Sequence, residues 1–305
     1  MVSRVVREIR LRRRLMATTR VRRQQPARQQ PPKAVELAYL RFMLQVLEVA
    51  KREIRRELVD PLPRLVAAGK LDELEWHRAS RHNDEERLRE LDHTDSPDEA
   101  RRRAAGLRVS FERGVVPDAR LEQSIRDFGQ RTADYQGSQL QRQIRTAMGI
   151  EVPLSDPRYG ERLRNWTTEN VGLIKSIPGD LLDEVEREVV SGINDGVRHE
   201  ELARRIERRF GVAERRASLI ARDQVGKFYG AVQKARQTNL GIKRYIWRTS
   251  RDERVRPEHV EREGEIFEWS DPPEDGHPGQ PINCRCTAEP MLEDLLDELE
   301  ADEAA

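Results

Sequence analysis

From Pro32 to Gly241 the apolar residues of this chain recur every three or four positions, and at Gly241 that period stops. The first regime specifies helices that each carry one apolar stripe. The second begins with Ile242 to Ser250, where Tyr245, Ile246, Trp247 and Thr249 supply the aromatic and β-branched residues of a strand, and continues with a second strand at Glu265 to Trp269. The expected fold is mainly α with a small α+β C-terminal domain. A helical N-terminal half precedes C-terminal helices capped by a small antiparallel sheet with long loops.

Proline and glycine divide the helical regime. After Pro32, Leu37, Leu40, Leu44, Leu47, Lys51, Ile54 and Leu58 form a stripe suited to a helical neighbour in this chain or another subunit. Pro61 and Pro63 end it. Residues Leu71 to Leu91 are so charged that any helix there is solvated, and Asp92 to Asp98, with Ser96-Pro97, reads as a loop. Helical spacing resumes from Pro117 to Met148. Pro157 opens a helix through Trp166 and Ile174, and Pro178 opens another ending at Gly196. A short helix stops at Gly211, and a longer one runs from Ala213 to Asn239. The regions are a basic arm at 1–33, a helical region at 34–150, an α+β domain at 151–290 and an acidic tail at 291–305.

Composition explains why the domains are modest. Of 305 residues, 36% are hydrophobic and 36% charged, which excludes one large, densely packed α/β core. No run is apolar enough to span a membrane, and the N-terminus lacks the apolar segment of a secretory signal, so a soluble intracellular protein is expected. The net charge of +1 conceals a segregation: residues 1–30 hold ten Arg and one acid, and residues 291–305 hold seven acids and no base. An arm of that composition cannot bury enough surface to order itself, so it is expected to be mobile or to order on a partner. Arg10, Arg12, Arg13, Arg14, Arg20, Arg22 and Arg23 are its candidate contacts to double-stranded DNA, made through phosphates without sequence preference.

The chain has two cysteines, Cys284 and Cys286, spaced to point to one face of an extended backbone. Two sulfurs on one face can share a metal ion. His259 is the natural third ligand, with Asp252 or His277 as candidates for the fourth, and the implied cofactor is one structural zinc pinning the loops of a small sheet. The alternative is two buried thiols with an ordinary histidine hydrogen bond. A catalytic arrangement of Cys284, His259 and Asn283 can also be drawn. Arg222-Asp223-Gln224, with Asp252, Arg254 and Arg256, is expected to form ion pairs between helix and loop rather than a catalytic site. His77, His82, His93 and His199 have no ligand spacing and are expected at the surface.

The residues Tyr245-Ile-Trp-Arg-Thr-Ser250, Asp252-x-Arg254-Val-Arg256-x-x-His259, Gly264, Pro272-Pro273 and Gly279-x-Pro281-Ile-Asn-Cys-Arg-Cys286 resemble the phage Mu F-like minor head proteins, also called phage head morphogenesis proteins. The resemblance extends back to Ile220-Ala-Arg222, where Asp223 and Gln224 replace the family's Thr-Glu, and covers about residues 156–290. It implies a low-copy structural protein of a tailed-phage virion, inside the capsid near the portal vertex and in the host cytoplasm during assembly. The implied partners are portal protein and major capsid or scaffolding protein, with packaged DNA or an acidic portal surface for the arm. The resemblance implies no enzyme. The contrasting reading is a nuclease-like or toxin-like transferase built on His259, Cys284 and Cys286.

Overall fold

The computed structural model describes residues 28–68, 78, 81, 95–295 and 297. The seven candidate arginines of the arm, most of the charged stretch at 71–91 and the end of the acidic tail lie outside the described residues. Long helices dominate: α1 (Lys33–Ile54), α2 (Asp95–Glu112), α3 (Asp118–Met148), α4 (Tyr159–Asn194) and α5 (His199–Asn239). A π-helical turn, Arg55–Val59, continues α1. The small C-terminal elements are β1 (Arg244–Arg248), α6 (Pro257–Glu261), β2 (Ile266–Glu268) and β3 (Thr287–Pro290). The fold is mainly helical with a small antiparallel sheet, as expected.

The chain forms two compact units whose sequence segments interleave. One comprises residues 1–38, 124–168 and 221–305, and the other residues 39–123 and 169–220. The linear regions read from the sequence do not follow this partition, because α1, α3, α4 and α5 each contribute residues to both units.

Four helical expectations are corrected. The buried face of α1 runs through Val35, Tyr39, Met43, Val46, Leu47, Ala50 and Ile54, whereas Leu37 is 38% exposed. The expected stripe holds from Leu47 through Lys51, Ile54 and Leu58, which are buried, and fails at its start, where Leu40 and Leu44 are half-buried. The face taken inside carries bulkier Tyr39 and Met43, and Tyr39 Oη donates to Asn170 Oδ1 at 2.6 Å. Lys51, on the same helix, is buried with its ammonium 2.6 Å from Glu214 and 3.2 Å from Glu48, so its charge stays paired. Asp92 to Asp98 is not wholly a loop: α2 starts at Asp95 and places Pro97 in the first turn, where a missing N–H is harmless.

Pro178 lies inside a continuous α4, and Gly211 inside a continuous α5. An internal proline costs about 3 kcal/mol and an internal glycine about 1 kcal/mol in helix propensity. Both are outweighed here by apolar stripes that run uninterrupted past the breaker. Ile174, Ile177, Leu181, Leu182 and Val185 are buried around Pro178, and Ile206, Phe210, Ala213 and Ala217 around Gly211. Burying one large aliphatic side chain contributes about 1.5–3 kcal/mol, so a few of them decide the outcome.

The sheet has the order β2-β1-β3 and is antiparallel throughout. Tyr245 pairs with Phe267 and Trp247 with Ala288, which sets one face inward. On that face Tyr245, Trp247, Trp269, Cys284, Cys286 and Ala288 form a core cluster, with Phe267 packed against it. The outer face carries Arg248, whose guanidinium reaches Glu289 at 2.5 Å. Strand β3, Thr-Ala-Glu-Pro, was not foreseen. Its free edge is clipped by α5: Gln237 Nε2 donates to the Ala288 carbonyl at 2.9 Å, and Gln233 Oε1 accepts the Ala288 N–H at 3.2 Å.

Both charged ends enter this unit further than expected. Gln29, placed in the arm, is 4% exposed, with its amide bonded to Gln143 at 2.5 Å and its carbonyl accepting from Thr287 Oγ1 at 3.1 Å. At the other end Leu295 joins Leu140, Ile144, Met148 and Ile242 in a second core cluster. Asp294 Oδ2 accepts the backbone N–H groups of Lys243 and Arg244 at 2.9 and 2.8 Å.

Candidate metal centre

The local backbone before the cysteines is set by helix α5. Asn283 has φ of 57°, a left-handed conformation that Asn adopts more readily than most residues. Its N–H donates to Asp223 Oδ1 at 2.8 Å, while Lys227 holds Asp223 Oδ2 at 2.8 Å. Asp223 therefore positions the residue preceding Cys284, which is a structural role. Arg285, between the two cysteines, pairs with Asp252, and Arg256 donates to the Ile282 carbonyl at 2.8 Å. The expected ion pairs between helix and loop are not formed among the described residues: Asp223 pairs with Lys227 of its own helix and reaches the loop only through the Asn283 N–H, while Asp252 pairs with Arg285.

Close packing of the next loop requires a glycine at position 230 of α5 and leaves little room at Gly226. A Cβ on Gly230 would lie 2.8 Å from the Pro278 carbonyl oxygen, and one on Gly226 would lie 3.4 Å from the Cys284 carbonyl oxygen. The loop answers with Gly279, whose φ of 88° suits glycine, and whose N–H points at Cys284 Sγ at 3.4 Å.

His259 comes from α6, a helix of five residues with Pro257 in its first turn. It is 2% exposed and meets the Trp247 ring edge-on, with centroids 5.1 Å apart. Its Nδ1 lies 3.4 Å from Cys286 Sγ and 3.7 Å from Cys284 Sγ. The ligand atoms of His259, Cys284 and Cys286 all lie within 4.8 Å of one another, and all three residues are buried.

The opposite ring nitrogen, Nε2, lies 2.7 Å from Asp275 Oδ2, and Arg262 holds Asp275 Oδ1 at 2.5 Å. A carboxylate on the far nitrogen fixes the ring and directs the other nitrogen's lone pair at the sulfurs, the usual support of a metal-bound histidine. Sequence reasoning missed Asp275. It lies in the Pro/Gly-rich loop before the cysteines, and no spacing rule links it to His259.

The other candidates are committed elsewhere. Asp252 accepts from Arg285 and from the Arg254 N–H at 3.0 Å. His277 is 3% exposed, with Nδ1 2.9 Å from Tyr245 Oη and Nε2 3.0 Å from Lys234 Nζ. Neither joins the three-residue group, and among the described residues no fourth His, Cys, Asp or Glu does. His199 starts α5 at the surface beside Glu200. His77, His82 and His93 lie outside the described residues.

Electrostatics within the cluster favour an anionic sulfur. A hydrogen bond from the Cys286 thiol, opposed by burial and aided by His259, pushes the Cys284 thiol well below its ordinary value. The same bond and burial push the Cys286 thiol up, so the pair shares one proton. The hydrogen bond with Cys284 raises His259 against the effect of burial, with Asp275 adding to it. Burial works against ionisation of Asp275 and is outweighed by the bonds from His259 and Arg262. By contrast, burial and the nearby Lys234 charge push His277 down to about 4, which keeps it neutral.

The donor set suits a soft or borderline ion. Two thiolates and an imidazole form a nitrogen and sulfur set characteristic of zinc, with a carboxylate behind the histidine. The buried Trp247 Nε1 has no hydrogen-bond partner, yet its N–H lies where it favours the ionised form of Cys286. Cys286 is nevertheless pushed up overall by Cys284 and burial, so that donor would be used fully only were the sulfur held as a metal-bound thiolate. The geometry also contains a Cys–His–Asp line, but both sulfurs are turned into the aromatic core, with Cys284 7% and Cys286 4% exposed.

Comparison with known proteins agrees with the segment that builds this cluster. Residues 183–289 match the family described as Phage Mu protein F like protein. An uncharacterized protein of Haemophilus influenzae is 39% identical over 154 residues, covering 49% of this chain and 34% of that protein's length. No solved structure matches the chain. The matched segment spans His259, Asp275, Cys284 and Cys286 together with α5, β1, β2 and most of β3, so it is over residues 183–289, about a third of the chain, that the sequence is similar to the phage Mu F-like proteins.

Proposed function

We propose that this chain is a structural minor head protein of a tailed bacteriophage, acting in head morphogenesis, with a C-terminal domain held together by one zinc ion. The observation that carries the reading is the coincidence of the family match with the buried His259/Cys284/Cys286 cluster. A small sheet with three short strands and long loops has little core of its own, and a metal linking α6 to the segment before β3 supplies the missing cross-link. The ion's contribution there is to neutralise and hold two thiolates. His259, Cys284 and Cys286 would hold it, and Asp275 would orient His259.

Residence inside the capsid near the portal vertex, with portal protein and major capsid or scaffolding protein as partners, belongs to the same proposal. So does contact between the arginines at 10, 12, 13, 14, 20, 22 and 23 and double-stranded DNA. Such contact is salt-dependent and indifferent to sequence. Purified proheads and mature heads test the reading by mass spectrometry. The chain is expected to co-purify with portal-containing proheads, and its absence from both particles would overturn the assignment.

The Cys284–His259–Asp275 line is the one observation favouring thiol catalysis. His259→Ala and Cys284→Ala separate the two readings. A structural role predicts loss of bound zinc and of folding stability, whereas catalysis predicts a folded, zinc-independent protein with lost turnover.

A further inference from the structure

We propose that Lys234 is an acyl-acceptor site, whose amine, bonded to His277, takes an acyl group from an activated donor, an acyl phosphate or an acyl thioester. The inference depends on neither the metal nor the head-protein assignment. Its starting point is where the lysines of this chain put their charge. Lys33, Lys51, Lys175 and Lys227 each pair with a carboxylate, and Lys243 is exposed. Lys234 is half-buried on α5, and among the described residues no carboxylate pairs with it. Its Nζ lies 3.0 Å from His277 Nε2 instead.

The hydrogen-bond chain behind that contact favours the free amine. Tyr245 Oη lies 2.9 Å from His277 Nδ1 and has no other hydrogen-bond partner among the described residues, and Tyr245 is fully buried. With Lys234 charged, Nζ–H donates to Nε2 and Nδ1–H donates to Oη, which leaves the buried phenol hydrogen idle. With Lys234 uncharged, the chain reverses. The phenol then donates to Nδ1 and Nε2–H donates to the Nζ lone pair, so every buried donor is used. Burial lowers Lys234 from its ordinary value in the same direction. The group placed to favour the ammonium is the Trp269 ring, 5.8 Å from Nζ and near the limit of a cation–π contact. A desolvated lysine amine is the form that attacks carbonyl carbon. As Nζ bonds to the acyl carbon it gives up the hydrogen bond from Nε2–H. The carbon's bond to phosphate oxygen or to sulfur breaks, and the displaced Nζ proton leaves with the phosphate or the thiol. The product amide carries no charge beside His277.

The test exposes the full chain to acetyl phosphate in one arm and acetyl-coenzyme A in the other. Remaining amines are then capped in denaturant with deuterated acetic anhydride, and peptide mass spectrometry gives the rate at each lysine. In the folded chain Lys234 is expected to react about tenfold faster than exposed Lys243, and in urea at about the same rate, because unfolding equalises their free-amine fractions. That comparison needs no variant. In His277→Asn, shown to be folded by a cooperative thermal transition, the excess at Lys234 should vanish while Lys243 keeps its rate. Reaction in one arm alone supports the site and names the donor class, and reaction in both shows that it takes either. No acetylation of Lys234 in either arm, equal rates at Lys234 and Lys243 in the folded chain, an excess that survives urea, or an excess unchanged by His277→Asn would each overturn the proposal.

Discussion

At the residue scale, the cluster is organised by what stands behind each ligand. Asp275 holds the far side of His259 at 2.7 Å and is itself held by Arg262. Its replacement separates ligation from support. Asp275→Asn keeps the shape and can still bond the ring, but removes the charge that orients it and raises its basicity. Zinc affinity is expected to fall about 10–100-fold while the metal-loaded fold survives, as supporting carboxylates do elsewhere. Competition with a chromophoric chelator measures this directly, and an affinity unchanged by the substitution would mean Asp275 does not support a metal ligand. The two cysteines were legible as a pair because residues i and i+2 share a face in extended chain. Asp275 was not, since its partner is sixteen residues away across a fold that the loop sequence does not specify. His277 and Asp252 were reasonable candidates by position, but Tyr245, Lys234 and Arg285 hold them in other bonds.

At the element scale, α5 illustrates how the same residue type serves opposite ends. Gly211 lies inside the helix, and a Cβ there would meet nothing nearer than Arg215 Nη1 at 3.7 Å. Gly211→Ala is therefore expected to raise stability by up to about 1 kcal/mol through propensity and reduced unfolded-state freedom. Gly230, further along the same helix, packs against backbone, and a Cβ added to it would stand 2.8 Å from the Pro278 carbonyl oxygen. Gly230→Ala should lower stability by about 1–3 kcal/mol, because backbone cannot rotate aside as a side chain can. Urea titrations of both variants decide the point, and equal effects would show that the α5–loop contact is looser than the structure has it. The same comparison explains why Gly211 was misread as a helix end. Local propensity gave a stop signal of about 1 kcal/mol, and a continuous buried stripe exceeded it.

At the scale of the whole molecule, acid stability links Arg28, near the start of the chain, to the sheet and its loops. Burial opposes ionisation of Glu263, but bonds from the Thr249 N–H and hydroxyl and from Arg28 bring it down to about 2. A carboxylate depressed from 4.5 stabilises the fold above that value and loses its contribution as pH falls from 4.5 towards 2. His277, depressed to about 4 from 6.5, favours the fold while neutral and loses that contribution as pH falls from 6.5 towards 4. Stability should therefore decline in two successive acid limbs. His277→Asn is expected to flatten only the upper one, by on the order of 1–2 kcal/mol after screening. Thermal midpoints of both proteins between pH 7 and 3 measure the difference, and parallel curves would rule out His277 as the upper titrating group.

What the sequence alone determined were features carried by short-range rules: the change from helical to extended period at Gly241, the Cys-x-Cys face and the segregated charges. Each depends on spacing along a few residues, which backbone geometry converts into a direction in space. The tertiary structure alone decided that Tyr39 and Met43 rather than Leu37 line the first turns of α1, the continuity of α4 and α5 through Pro178 and Gly211, and the existence of β3. It also decided the entry of Gln29 and Leu295 into the core, and the pairing of Asp275 with His259. Those outcomes turn on burial and on partners distant in sequence, where several small local preferences are outweighed by surface removed from water.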